Sequence, residues 1–294
     1  MTNVLIVGMA VVDFVFALDE LPGSASKFRA DRAEIVGGGC AANAAVAAVR
    51  MGARASLAAR MGADQLGDLI LADLIEEGVD TTLVDRAKGG ASSFSSVYVD
   101  RSGERQIVNF RGSDLTEDPT WLESAEKPDV VLVDTRWPAG AIRALELAKR
   151  WKVPGIVDAE APAEDAVLTM ASHVAFSRDG LRSFSGTEDL DAGLAAAALR
   201  LPGWVSVTDG AAGVRVATDS GHLHVPAFKV PVKDTLAAGD IWHGAFAVAL
   251  AEGQNEVAAV RFANAAAALK CTEFGGRKGC PDRSSVERFL KENL

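Results

Sequence analysis

The chain has 294 residues, 49% of them hydrophobic and 24% charged, with a formal net charge of −10. That length can build one large domain with a small accessory unit, and the acidic balance excludes a broad basic surface for nucleic acid or an anionic membrane. No stretch is apolar and uncharged enough to span a bilayer. Asp13 breaks the apolar start of the chain, which argues against a signal peptide. Cys40, Cys271 and Cys280 are odd in number and lack metal-ligand spacing, so reduced thiols in a cytoplasmic protein are expected.

Taken in chain order, a short apolar run at 4–7 reads as a strand, and 11–18 and 27–36 look extended. An alanine-rich helix is expected at 40–51, a strand at 56–59 and a helix at 66–77. Segments 93–99 and 105–110 form a hairpin around the turn-rich Asp100-Arg-Ser-Gly-Glu104. Strands at 130–133, 154–157, 174–176 and 205–207 alternate with helices at 139–151 and 190–199, and helices at 238–251 and 256–270 follow. This alternation predicts an α/β fold, a mostly parallel sheet with helices on both faces. The four extended segments that break the rhythm predict a small second sheet. Placed over the C-terminal ends of the main strands, it would be a lid that keeps water from a reactive phosphate.

The sharpest motif is Asp234-Thr-Leu-Ala-Ala-Gly-Asp240, where small residues open the helix at 238–251 and an acid sits in its first turn. N–H groups exposed at such a start bind anions such as phosphate. A carboxylate beside them is a candidate base for a substrate hydroxyl. Phosphoryl transfer to an alcohol is therefore expected. Taken alone, Asp240 is equally a first-turn acid favoured by the helix dipole; Ala237, Ala238 and Gly239 make the difference because they leave the amides uncovered. His243, one turn on, reads as a core histidine.

Gly37-Gly-Gly-Cys-Ala-Ala-Asn43 opens the first helix, and its glycines let a ligand approach the backbone closely. Asn43 stands among alanines and needs a partner, because an unpaired buried amide costs about 1–3 kcal/mol. With the glycines one turn before it, a sugar hydroxyl is the expected partner. The Gly-x-Gly-x-x-Ala pattern inside this segment does not follow the first strand directly, so nicotinamide binding is rejected on position. In Val205-Ser-Val-Thr-Asp-Gly-Ala-Ala-Gly213, Thr208 and the N–H groups near Gly210 can hold nucleotide phosphates, or simply turn a hairpin into 214–217. No Gly-x-x-x-x-Gly-Lys-Ser/Thr loop occurs.

The glycine segment ending at Asn43 and the Asp234-to-Asp240 motif resemble the two signatures of the ribokinase/PfkB family of carbohydrate kinases, and the resemblance covers nearly the whole chain. It implies one ribokinase-like domain over 1–294 with a lid at 11–36 and 92–111. It also implies ATP as donor and Mg²⁺ as cofactor. Asp240 would take the proton of the accepting hydroxyl, and the backbone of Ala237, Ala238, Gly239 and Asp240 would stabilise the migrating phosphoryl group. Asp13, Gly38, Gly39 and Asn43 would hold the sugar. Thr208, Gly210 and Gly213 would line the nucleotide site, with Asn264 near the base. Asp234 resembles the position of a monovalent-cation (K⁺) site.

Two departures stand out. Alanine replaces the usual glycine at position 237, where a positive φ would strain it. The family's Asn-x-x-Glu, which supports the metal's water shell, falls at Ser177-Arg-Asp-Gly180, leaving Asp179 as a substitute acid.

A finer resemblance, to the sulfofructose kinase branch, rests on Ser26-Lys27, Val108-Asn-Phe110, Asp134-Thr-Arg-Trp137 and Pro226-Ala-Phe-Lys229, among others. It implies that Lys27, Asn109 and Arg136 hold a sulfonate, and two cations with an amide suit an anionic sugar tail. The plainer alternative is a solvated Lys27 and an Arg136 paired with Asp134 or Asp158. The expected substrate is 6-deoxy-6-sulfofructose, phosphorylated at C1. The runners-up are ribose, fructose or another neutral sugar, or a sugar-binding homologue with weak turnover. Free edges on the small sheet predict a homodimer through the lid.

Overall fold

The structure, a computed structural model, describes residues 1–101 and 104–293. Its elements in chain order are β1 (Asn3–Val7), β2 (Val11–Ala17), β3 (Arg32–Gly38), α1 (Cys40–Arg50), β4 (Arg54–Ala58), β5 (Arg60–Gly62), α2 (Gln65–Glu76), β6 (Asp85–Ala87), β7 (Phe94–Val99) and β8 (Arg105–Phe110). There follow β9 (Val130–Val133), α3 (Pro138–Trp151), β10 (Gly155–Ala159), α4 (Asp165–Leu168), β11 (His173–Phe176), α5 (Arg178–Ser185), α6 (Leu190–Arg200) and β12 (Trp204–Thr208). The last are β13 (Val214–Thr218), β14 (Gly221–Val225), α7 (Ala238–Ala251), α8 (Glu256–Cys271) and α9 (Arg283–Glu292).

Eight strands form the main sheet in the order β14-β13-β12-β11-β10-β9-β1-β4. From β12 to β4 every pairing is parallel; β13 and β14 add an antiparallel edge. Side chains alternate across a strand, and β1 shows the result. Val4 and Ile6 join a core with α1, α7 and α8, while Leu5 and Val7 join one with α3 and α6 on the opposite face. Both cores explain the runs of buried Val, Leu and Ala in the strands. Among the described residues, no helix is long and apolar enough to cross a membrane.

Helices α1 and α7 meet backbone to backbone. A Cβ on Gly244 would overlap the Ala44 carbonyl, and Ala47 lies beside it. Alanine and glycine on the facing sides permit this approach, which brings the N-terminal ends of both helices to the same place above the sheet.

The second sheet has the order β3-β2-β7-β8. Two antiparallel pairs flank a parallel β2–β7 pairing. Its register puts Val36, Asp13, Ser95 and Asn109 in one row across the sheet. The neighbouring row on the other face is Ile35, Phe14, Ser96 and Val108. Expected strand 27–36 runs instead from Arg32 to Gly38, because the charged, largely exposed run Lys27-Phe-Arg-Ala-Asp31 stays out of the ladder. Of the expected turn after Asp100, Ser102 and Gly103 lie outside the described residues.

Candidate active site

Ligands of open parallel sheets bind outside the C-terminal ends of the strands. Here Asp134 directly follows β9, Asp158 lies near the end of β10 with Glu160 just past it, and α1 and α7 start above them. Asp134 is a clamp: Oδ2 accepts from the Met9 N–H at 2.7 Å and the Ala41 N–H at 3.3 Å, and Oδ1 from the Arg136 N–H at 2.8 Å. Burial pushes its carboxyl up to about 6 against those hydrogen bonds.

Asp240, half-buried in the first turn of α7, accepts a 2.7 Å hydrogen bond on Oδ2 from Asn43 Nδ2. Burial and then the charge of Asp158 push its carboxyl up to about 7, with the Asn43 hydrogen bond opposing. His243 is buried as expected of a core histidine, yet it faces this cluster. Its Nε2 lies 3.1 Å from Asp158 Oδ1, and its Nδ1 has no partner among the described residues. Burial lowers its proton affinity, but Asp158, with Asp240 and Glu160, outweighs that and raises it overall. Ligand atoms of Cys40, Asp158 and Asp240 lie within 4.8 Å of one another. The Cys40 thiol is pushed well up by burial and by the surrounding carboxylates, so a protonated sulfur sits where a hard ion would want oxygen.

The anion-binding start of α7 is present with one correction. Ala237 is left-handed, at φ 64 and ψ 7, a conformation that costs a residue with a Cβ about 1–2 kcal/mol. The Ala238 N–H donates to the Thr235 carbonyl at 3.2 Å, so it is not free for a ligand as expected. The N–H groups of Gly239 and Asp240 have no backbone acceptor among the described residues, and Gly239 is exposed.

On the sugar side, Asp13 lies under Gly38, where any Cβ would strike its carboxylate. Burial raises the Asp13 carboxyl, while a hydrogen bond from Ser95 and the charge of Arg277 oppose the rise. Asn109 Nδ2 donates to Ser95 Oγ at 3.1 Å, so this row of the lid is hydrogen-bonded across its width. Gly39 caps α1, and Asn43 Oδ1 is buried without a partner among the described residues. A cavity of about 240 Å³ separates this lid face from residues 232–236 and 274–276.

The other two residues expected at a sulfonate are placed differently. Arg136 Nη1 donates to the Ala161 carbonyl at 2.8 Å, and Nη2 is paired with Glu160. Its charge is thus neutralised by an acid, though a different one from those anticipated. Lys27 is exposed in the loop before β3 and makes no ion pair among the described residues.

On the nucleotide side, Thr208 and Gly210 line a cavity of about 450 Å³ with Glu160, Ser177, Asp179 and Arg182. Thr208 Oγ1 donates to the Phe176 carbonyl at 3.3 Å, and Gly213 is buried in the turn into β13. Asn264, expected near the base, is held by protein partners. Its Oδ1 accepts from Trp242 Nε1 at 2.8 Å, and its Nδ2 donates to the carbonyls of Pro226 at 3.1 Å and Val225 at 3.4 Å, so it latches the end of β14 to α7. At Gly180 the missing acid has a steric cause, since a Cβ would overlap the Ala159 carbonyl oxygen. Ser177 instead caps α5 by accepting from the Gly180 N–H at 3.0 Å.

Asp234, expected at a monovalent-cation site, is matched by a side-chain ammonium. The Lys270 ammonium lies 2.8 Å from its Oδ2 and 2.9 Å from its carbonyl. Sequence reasoning also passed over Asp158 and Glu160 as site residues. Their signal was present, an acid-x-acid pair closing an apolar strand.

A family model for pfkB family carbohydrate kinases matches residues 1–283. Ribokinase from Bacillus subtilis is 31% identical over 99% of this chain and 100% of its own length, and that from Haemophilus influenzae 30% over 88% of each. A solved structure from Agrobacterium tumefaciens superposes with a TM-score of 0.94 at 38% identity, covering 100% of this chain and 98% of its own. Ribokinase from Thermotoga maritima gives 0.87 at 27% identity, covering 99% of each. With its ribokinase-like α/β sheet, its separate small sheet and an acid at the amide-bearing start of α7, the chain belongs to the pfkB family of carbohydrate kinases, phosphotransferases that act on a sugar hydroxyl.

Proposed function

We propose that residues 1–294 act as one kinase unit that moves the γ-phosphoryl group of ATP to a hydroxyl of a neutral sugar, with the four-stranded sheet as its lid. The observation that carries this is Asp240, a carboxylate with proton affinity near neutrality beside the unpaired amides of α7 and in contact with Asn43. Asp240 takes the proton from the attacking hydroxyl. The N–H groups of Gly239 and Asp240 receive the negative charge that spreads over the transferring phosphoryl oxygens. Asp13 and the open Asn43 Oδ1 hold sugar hydroxyls, and Thr208 and Gly210 border the nucleotide. Mg²⁺ bound with the nucleotide neutralises phosphate charge. Glu160 and Asp179, two of the carboxylates lining that cavity, would hold its waters, since this ion uses few direct protein ligands.

Three observations favour a neutral sugar. Arg136 is neutralised by Glu160, Lys27 stands apart, and Asp13 would repel an anion. The ribokinase relatives point the same way. A second reading, 6-deoxy-6-sulfofructose phosphorylated at C1, is favoured by Asn109, which shares the Asp13 row of the lid beyond Ser95, and requires Arg136 to exchange Glu160 for the sulfonate. ADP release with ribose, fructose and sulfofructose decides between them. If the sulfonate is read, Arg136→Ala lowers kcat/KM for that sugar by about 10–100-fold, as expected for a charged hydrogen bond of about 1.5–3 kcal/mol, and leaves fructose nearly unchanged. Equal losses for both dispose of the sulfonate pocket. No release with any sugar, alongside a sugar-induced melting shift, would indicate a binding protein instead.

A homodimer through the lid is supported by its outer face, where Ile35, Val108 and Phe110 are exposed on the side opposite Asp13. A monomer in sedimentation equilibrium would refute it. ATP use and three free cysteines fit a cytoplasmic setting.

A further inference from the structure

Lys270, in the last turn of α8, carries a fully buried ammonium, 0% exposed. A buried ammonium is tolerated only when its charge and all its donors are matched. Here the three donors meet three oxygens: the Asp234 carbonyl at 2.9 Å, Asp234 Oδ2 at 2.8 Å and the Glu273 carbonyl at 3.2 Å. The Asp234 carboxylate also accepts from the N–H groups of Leu236 at 2.8 Å, Gly275 at 3.1 Å and Gly276 at 3.0 Å. Burial works against this charge, but the Lys270 contact and the amides hold the Asp234 carboxyl below its usual range.

Two main-chain carbonyls and one carboxylate around a dry positive charge make the oxygen cage that a monovalent metal ion would occupy, and the ammonium fills it. Like-charge repulsion and lack of space exclude a second cation from the same oxygens. The cage is placed to matter. On one side it fixes residues 234–236, immediately before the left-handed Ala237 and the free amides of α7. On the other it fixes Gly275 and Gly276, which lead into Arg277, the buried guanidinium beneath Gly37 whose charge acts on Asp13.

We propose that Lys270 is a tethered monovalent cation. It holds the phosphoryl-binding turn and the sugar-side loop in register, and it frees turnover from any requirement for potassium in solution. This rests on the kinase reading of the α7 start. Lys270 is a positioning residue, acting through Asp234 on the amides of α7.

The test compares the full-length protein in potassium chloride and in tetramethylammonium chloride of equal ionic strength. Wild-type melting temperature is the same in both salts, and wild-type turnover differs by less than about twofold, well under the tenfold that 1.4 kcal/mol would give. Lys270→Ala melts lower in tetramethylammonium, and potassium or ammonium ions specifically restore part of that loss. Its kcat falls by about tenfold or more and recovers partly with the same ions, with little change in the KM for sugar. Wild-type turnover that rises about tenfold with potassium, or a potassium-specific melting shift in the wild type, overturns the proposal. So does a folded Lys270→Ala protein on which potassium has no specific effect. Should that variant fail to fold, the wild-type comparison still decides. If no sugar supports turnover in either salt, the kinase reading falls, while the melting comparison still judges the cage.

Discussion

Asp240→Asn lowers kcat by about 10²–10⁴-fold, the usual contribution of a positioned general base, while leaving nucleotide binding largely intact. The substitution keeps the size of the side chain and removes the group that accepts the hydroxyl proton. Because the wild-type carboxyl is pushed up to about 7, its basic form accumulates above that pH. Wild-type turnover therefore climbs as pH rises through 7 and then levels, and the residual activity of the variant lacks this limb. Stability moves in the opposite direction. Folded Asp240 keeps its proton from its ordinary value of 3.8 up to about 7, whereas the unfolded chain has released it. The contribution of this group to stability is full below about 4 and is lost as pH climbs through 7. Asn removes that loss, so the variant melts higher than wild type at pH 8, and the gain shrinks toward pH 5. Steady-state ADP release and melting curves across pH measure both effects. Turnover within tenfold of wild type would remove Asp240 from the base role.

Asp13→Ala lowers kcat/KM for the sugar by about 10–10⁴-fold, from the loss of one or two charge-assisted hydrogen bonds of about 1.5–3 kcal/mol each. Asp13 is the acid of the hydrogen-bonded lid row with Ser95 and Asn109, and it is buried against Gly38. Its loss leaves ATP affinity unchanged, because the nucleotide-side cavity is lined by other residues. The fold tolerates the change, since burial already disfavours the charged carboxyl. Titrating sugar at saturating ATP, and ATP in the absence of sugar, separates the two effects. An equal loss of ATP affinity would show that Asp13 does not act on the sugar.

How much of this was legible in the sequence depended on how local the physics was. Helix α7 begins and ends where its apolar pattern and small-residue start say it should, and the strands of the parallel sheet were plain from their apolar runs. Asp240, Asn43 and Asp13 could be picked out because each is a polar group in an apolar or glycine-rich setting. Helix α9 was passed over although Asp282 caps it and Val286, Phe289 and Leu290 carry the spacing of one buried face. The remaining misses are properties of distant pairs. Nothing local ties Lys270 to Asp234, Arg136 to Glu160, or Asn264 to Trp242. The overlap at Gly180 comes from the carbonyl of Ala159, which lies on another strand end. The Ala238 amide was lost to a turn whose geometry only the left-handed Ala237 creates.

The contact between Gly244 and the Ala44 carbonyl has a mechanical consequence. Two helices that touch through their main chains have no layer of adjustable side chains on which to slide. Asn43 and Asp240, each near the start of its own helix, are therefore held in one stiff frame throughout the working cycle, and neither can drift from the other as ligands come and go. Movement that admits the sugar and releases the product would then fall to the four-stranded sheet, which is joined to the rest of the molecule by the links after β1, β3, β6 and β8.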